Sequence, residues 1–326
     1  MESLVTFMPQ FFEGKNVLVT GGAGLVGSHL SEKLLELGAQ VFVLDIEFNP
    51  NSYFVKTNLK DRVKVLEVDL VDFKKVKQAV LENKIEYIFH LGAQAIVGTA
   101  YQDPRRTFDS NVMGTVNVLE AARQLGTVLG IAVASSDKAY GKDCLNAVET
   151  QKVFGDHPYD ASKAATDIVA QTYYKTYGLP VVIARFGNIF GPGDIYFNRI
   201  VPGTMRAVIQ NQELEIRSDG KFRRDYLYVK DVALGYIKMM ELVDKVKGEA
   251  FNFSTNWNFS VVELVEKISQ VVGIKCGYKI LNNEQNEIPE QSLNSDKARS
   301  LLGWQPEFKI EQAIAETFTW YKEIVK

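Results

Sequence analysis

NVLVTGGAGLVG, residues 16–27, decides the fold. Its first five residues, Asn16–Thr20, are apolar enough for a short buried strand. Gly21, Gly24 and Gly27 then stand three apart, as GxxGxxG. Beyond them Leu25, Leu30, Leu34 and Leu35 recur at helical spacing to about Leu37, and Gly38 stops the helix. A strand, a glycine turn and a helix in this order bring a helix N-terminus, with its free amides and positive dipole end, to the carboxyl edge of the strand. Such an edge suits a pyrophosphate, with Gly21, Gly24, Leu25, Val26 and Gly27 as candidate contacts. The same pattern also serves as a turn without ligand, so the triplet needs support from the rest of the chain.

Working outward, Val41–Asp45, Val63–Val68, Tyr87–Leu91, Gly130–Ala134 and Leu179–Arg185 read as further strands. Helical patterns near 72–82, 104–125 and 159–177 separate them. Strands apolar on both faces that alternate with helices predict an α/β fold, a doubly wound parallel Rossmann sheet. Past Gly191 the alternation weakens, with helices expected at 202–210, 261–272 and 310–325. The expected division is a dinucleotide-binding domain over 1–190 and a smaller C-terminal substrate lobe over 191–326, with some of that chain returning to the core.

Composition narrows the function. The chain has 326 residues, 46% hydrophobic and 24% charged, ordinary for a soluble enzyme. Its net charge is -3, so no basic excess exists to hold a nucleic acid backbone. No apolar run reaches the ~18 residues of a membrane span. MESLVTFMPQFFEGK lacks a basic leader and a cleavage site, which argues against secretion. Cys144 and Cys276 form no CxxC pair and read as reduced thiols of a cytoplasmic protein. His29, His90 and His157 have no metal-ligand spacing.

Asp45 ends the second strand, where a carboxylate accepts hydrogen bonds from ribose hydroxyls and repels a 2′-phosphate. Glu47 adds negative charge, so NAD is expected over NADP. Asp69-Leu70 is placed for the adenine edge, although Asp69 would also serve as a helix cap. Leu91, Gly92 and Ala93, past the fourth strand, let backbone approach the cofactor. His90 beside them reads as a packed, hydrogen-bonded residue.

Tyr159 and Lys163 share a helix face as YxxxK, in which an ammonium beneath a phenol would lower its pKa. The pattern gains meaning from Ser135-Ser136-Asp137-Lys138, at the same carboxyl edge. Arg224 is the candidate for a diphosphate, since guanidinium matches phosphate geometry.

With these pieces in view, the chain resembles the extended short-chain dehydrogenases/reductases that modify nucleotide sugars. The resemblance runs through TGGAGLVG, HLGAQA at 90–95, NVMGTVNVLEAA at 111–122, SSDKAYG at 135–141, YDASK, RFGNIFGPGD at 185–194, RRDYLYVKDVALGY at 223–236 and LLGWQP at 301–306. Ser-Asp-Lys, a short residue and Tyr at 136–140 are most similar to the CDP-glucose 4,6-dehydratase group, whereas the dTDP-glucose enzymes have Thr-Asp-Glu. Two segments depart from the CDP-glucose pattern. TGGAGLVG stands where that group has roughly GHTGFKGSWL, and RRDYLYV where it has RPWQHV, which leaves the nucleotide base open.

The resemblance implies tightly held NAD, a nucleotide diphosphate sugar as substrate, and a homodimer through a four-helix interface of 104–125 and 159–177. It implies that Tyr159 takes the C4 hydroxyl proton with Ser136 on the same oxygen and Lys163 below, and that Asp137 is the acid expelling water from C6. Lys138 stands where the dTDP enzymes have their base. A lysine at its reference pKa of ~10.4 is protonated, so it either has a lowered value or stabilises an enolate. Gln94, Asn188, Asn198 and Arg199 are the further substrate contacts, and Asn111 braces its helix. The alternatives are a 4-epimerase, decarboxylase or reductase on a similar substrate, and a non-catalytic dinucleotide sensor, which has no need of Ser136, Tyr159 and Lys163.

Overall fold

The computed structural model describes residues 11–142, 144–283 and 288–325. Residues 1–10, on which much of the expectation about secretion rests, lie outside the described residues. Six strands alternate with helices: β1 (Asn16–Thr20), β2 (Gln40–Asp45), β3 (Lys64–Glu67), β4 (Tyr87–His90), β5 (Gly130–Ala134) and β6 (Val181–Phe186). Among the described residues six further strands follow: β7 (Asn188–Phe190), β8 (Leu214–Ile216), β9 (Arg223–Tyr228), β10 (Ala250–Phe253), β11 (Asn258–Ser260) and β12 (Tyr278–Ile280).

Seven strands form one sheet in the order β10-β6-β5-β4-β1-β2-β3, every pair parallel. The order reverses between β1 and β4, so the helices leaving these two strands pack on opposite faces and open a crevice at their carboxyl ends. Side chains of β1 alternate. Val17 and Val19 join one core with Leu30, Leu34, Tyr236 and Met240, while Leu18 joins the other with Val76, Val118 and Ile131.

The chain after residue 190 returns to this sheet more than its pattern suggests. β10 pairs with β6, and the helix Val229–Glu241 packs Val232, Ala233, Tyr236 and Ile237 into the first core beside Trp304. That helix repeats apolar residues at Val229, Val232, Ala233, Tyr236, Ile237 and Met240, a helical spacing, and all six are buried. A third core, with Phe190, Met205, Tyr226, Leu264, Ile314 and Tyr321, supports the rest of the late chain.

The segment expected as one helix over 104–125 is interrupted. Pro104–Phe108 and Gly114–Leu125 are α-helical, and Asp109–Met113 between them is a π turn. Within the widened turn the Asn111 carbonyl accepts from the hydroxyls of Thr115 and Thr166, at 2.6 and 3.0 Å. Among the described residues, no helix is long and apolar enough to cross a membrane. Cys144 and Cys276 are buried free thiols.

Candidate active site

A cavity of about 1420 Å³ runs along the carboxyl ends of β1, β2, β4 and β5 and beneath the late chain. Its floor contains the expected cofactor residues Gly21, Gly24, Leu25, Val26, Gly27, Asp45, Asp69, Leu70, Leu91, Gly92 and Ala93. The glycines are needed by the protein's own packing. A Cβ on Gly27 would lie 2.2 Å from the Gly21 carbonyl oxygen, and one on Gly21, which has φ +67°, 2.7 Å from the Gly92 nitrogen. Turn packs on turn, and the cradle between them stays open.

Asp45 is oriented by amides. Oδ2 accepts from Ala23 at 3.0 Å and Oδ1 from Ile46 at 2.8 Å. Burial pushes its carboxyl above the usual range, and these amides oppose the shift. Asp69 was expected at an adenine edge but is tied to Arg106 at 2.8 Å, because the helix Pro104–Phe108 brings that guanidinium across the crevice. Both residues still line the cavity.

One hydrogen-bonded chain joins the turns beneath the floor. The Gly92 amide donates to Thr20 Oγ1 at 3.0 Å, which lies 2.8 Å from His90 Nδ1. His90 Nε2 lies 3.0 Å from Thr115 Oγ1, which donates to the Asn111 carbonyl. Because Thr115 is already a donor, Nε2 carries the imidazole hydrogen and Nδ1 accepts from Thr20. Burial, with the nearby Lys163 charge, lowers the imidazole pKa to about 3, so His90 is neutral and structural. Asn111 closes the brace, accepting from the Gln94 amide at 2.7 Å and donating to Ser162 Oγ at 2.8 Å.

The expected catalytic residues are brought together. Ser136 donates to Asp137 Oδ1 at 2.9 Å, caps the short 3-10 turn Asp137–Tyr140 through the Lys138 amide, and is hydrogen-bonded to Tyr159. Asp137 is 3% exposed, and Lys138 Nζ lies 3.5 Å from its Oδ2. Lys163, one turn after Tyr159, donates to the Ala134 carbonyl at 2.9 Å.

Their electrostatics differ from the sequence expectation. Burial pushes the Tyr159 phenol above its ordinary value, and the Asp137 and Asp160 carboxylates act the same way. Arg199 and the Ser136 hydrogen bond oppose them. Lys163 is itself lowered to about 8 by burial. In the protein alone, therefore, desolvation outweighs the cationic help expected from the YxxxK pair.

The roof comes from far along the chain. Asn188, Asn198, Arg199 and Arg224 all line the cavity. Three of the expected substrate contacts are already engaged within the protein. Gln94 closes its carboxamide on the Ile96 backbone, at 3.0 and 2.7 Å, because its loop needs that turn. Arg199 is bound at 2.5 Å to buried Asp194 and at 2.7 Å to the Ile189 carbonyl, which holds its guanidinium in place at the cavity wall. Arg224 donates to the Arg223 carbonyl at 2.8 Å and lies over the Phe222 ring.

Sequence reasoning missed four contributors. Gln291, 1% exposed, accepts from Lys138 Nζ through its Oε1, across 153 residues of chain. Asp160, 3% exposed, lines the cavity beside Tyr159 and was visible in YDASK. Arg206 lines the cavity with its guanidinium 4.8 Å from the Phe197 ring centre. Arg185 lies behind the site, held by Asp167 at 2.8 and 2.9 Å and by Tyr140 at 2.5 Å, and anchors the Asp137–Tyr140 turn.

Comparison with known proteins agrees with this architecture. The family model for GDP-mannose 4,6 dehydratase matches residues 18–317. CDP-glucose 4,6-dehydratase of Salmonella typhimurium is 30% identical, over 97% of this chain and 93% of that protein. The crystal structure of UDP-glucose 4-epimerase with UDP-glucose from Thermotoga maritima superposes with a TM-score of 0.86 at 29% identity, covering 95% of this chain and all of that one. The structure of dTDP-glucose 4,6-dehydratase from Bacillus anthracis in complex with NAD gives 0.83 at 25% identity, covering 95% and 97%. A Rossmann sheet with the Ser-Tyr-Lys group at its edge, matched over most of its length by one family model, places this chain in the GDP-mannose 4,6 dehydratase family, among the extended short-chain dehydrogenase/reductase enzymes of the nucleotide-sugar dehydratase and epimerase superfamily.

Proposed function

We propose that this enzyme is an NAD-dependent nucleotide-sugar 4,6-dehydratase, converting a CDP-glucose-like hexose to its 4-keto-6-deoxy form. The observation that carries the reading is buried Asp137 paired with the partly buried Lys138, beside Ser136 and Tyr159. Oxidation at C4 alone needs no second acid–base group, whereas elimination across C5 and C6 does.

The residues present fit the cofactor. The amide-bound Asp45 carboxylate faces the crevice for a ribose, and the Gly21, Gly24 and Gly92 turns leave the close-approach surface a pyrophosphate needs. When bound, NAD supplies the acceptor for the C4 hydride and the donor that returns it to C6. Tyr159 takes the C4 hydroxyl proton, and Ser136 hydrogen-bonds the same oxygen. The resulting ketone acidifies C5–H. Asp137 protonates the leaving C6 hydroxyl, and Lys138, held between Asp137 and Gln291, stabilises the enolate.

A 4-epimerase is the second reading, favoured by the fold match to UDP-glucose 4-epimerase. Incubation with CDP-, dTDP-, UDP- and GDP-hexoses, followed by mass spectrometry, separates them. Loss of water is expected, and inversion without loss of mass would replace the dehydratase reading. On the same reading residues 1–190 mainly bind NAD, and 191–326 mainly bind the sugar nucleotide through Asn198 and Arg224, joined by Asn188 from the end of the first segment. Exposed Phe108 and Met113 on one segment and Ile168 on another support a homodimer through 104–125 and 159–177. The buried free thiols fit a cytoplasmic enzyme.

A further inference from the structure

Elimination needs a group to accept the C5 proton, and the cavity holds a carboxylate that the mechanism above leaves unused. Asp160 follows Tyr159 on the helix Pro158–Tyr177 and is 3% exposed, yet it lines the cavity. Among the described residues, no hydrogen-bond donor engages its carboxylate. The group usually expected to act here is committed otherwise. Lys138 Nζ is a donor in both of its contacts, to Asp137 Oδ2 at 3.5 Å and to Gln291 Oε1. Asp137 is the acid at C6 and accepts from Ser136.

We propose that Asp160 is a second catalytic carboxylate of this cavity, the base that takes the C5 proton, with Lys138 as its electrostatic partner. In this step the C5–H bond breaks and its proton goes to Asp160. Its electron pair forms the C5–C6 double bond, and the C6–O bond breaks as Asp137 protonates the departing hydroxide to water. After hydride returns to C6, Asp160 gives a proton back to C5. Burial raises its carboxyl pKa to about 6, which suits a base at neutral pH. The charged and titratable groups facing it are Lys138 and Asp137 on the turn after β5, and His157 and Asp156 at the entry to its own helix. The inference rests on the dehydratase reading.

The test is Asp160→Asn with CDP-glucose in deuterated buffer. The variant is expected to reduce its cofactor on mixing, read as reduced-nicotinamide absorbance, while incorporating no deuterium at C5 and losing ~10²–10⁴-fold in turnover. Lys138→Met is expected to slow exchange without abolishing it. An Asp160→Asn enzyme that exchanges C5 at the wild-type rate overturns the assignment, as does a Lys138→Met enzyme that alone loses exchange. If Asp160→Asn fails to reduce the cofactor, Asp160→Glu carries the test. Its exchange is expected to be slowed, with the rising limb of the wild-type pH profile, near about 6, displaced. An unmoved profile with full exchange overturns the proposal. A wild-type enzyme that dehydrates none of the CDP-, dTDP-, UDP- and GDP-hexoses overturns the dehydratase reading and this inference together, whereas a dehydrating wild type with an indifferent Asp160 overturns only the inference.

Discussion

The floor and the roof of the cavity are made in different ways. The floor is a set of strand ends, each followed within a few residues by a turn, so Gly21, Asp45, Gly92 and Ser136 take their places from the sheet register itself. The roof is made of side chains delivered by β7, the chain through Arg224, and the return past residue 288. Its residues are held by contacts across long separations, such as Gln291 on Lys138 and the Leu293 amide on Asp225. Floor changes should therefore damage cofactor binding or folding. Roof changes should alter turnover on a cofactor site that stays intact.

Tyr159→Phe tests the junction of the two and has the largest expected effect. Turnover should fall toward the upper end of ~10²–10⁴-fold, with NAD affinity retained in a direct binding titration. Substantial residual activity would remove the YxxxK helix from the oxidising centre.

Gly27→Ala probes the floor. Its new methyl meets the Gly21 carbonyl oxygen at 2.2 Å, backbone against backbone. Stability should drop by ~1–3 kcal/mol, and thermal unfolding should lose its response to NAD. Unchanged melting would show that the turn gives way more easily than its packing implies.

Gln291→Ala probes the roof. It removes an acceptor from Lys138, a bond to a charged group worth ~1.5–3 kcal/mol, so kcat should fall by about tenfold or more while NAD affinity holds. A variant that loses NAD instead would abolish the separation of floor from roof.

The smallest effect belongs to Asp45→Ser. Removing the carboxylate should narrow the preference for NAD over NADP by ~3–10-fold, the worth of a typical hydrogen bond. Equal wild-type affinity for the two cofactors would contradict the role of Asp45.

What could be read from the sequence follows the same division. The floor was legible because GxxGxxG, Asp45 and YxxxK each act within one strand–helix unit. The π turn at Asp109–Met113 was not, since it exists to carry Asn111 toward Gln94 and Ser162, partners set by tertiary packing. Arg199 was legible as a cavity residue, but its pairing with buried Asp194 was not, because the sequence gives no sign of that burial. Gln291 carries no local signal at all. Asp160 was in view inside YDASK, but its burial beside Lys138 depends on the turn after β5 folding over the helix.

The most direct measurement is the mass of the product that the wild-type enzyme makes from CDP-glucose in deuterated buffer. A sugar nucleotide lighter by one water, with deuterium at C5, is the result expected of the Asp137 acid and the Tyr159 oxidising centre working in one cavity. An isomer of unchanged mass, inverted at C4, would contradict the dehydratase reading and make the Asp137–Lys138 pair a structural feature of an epimerase.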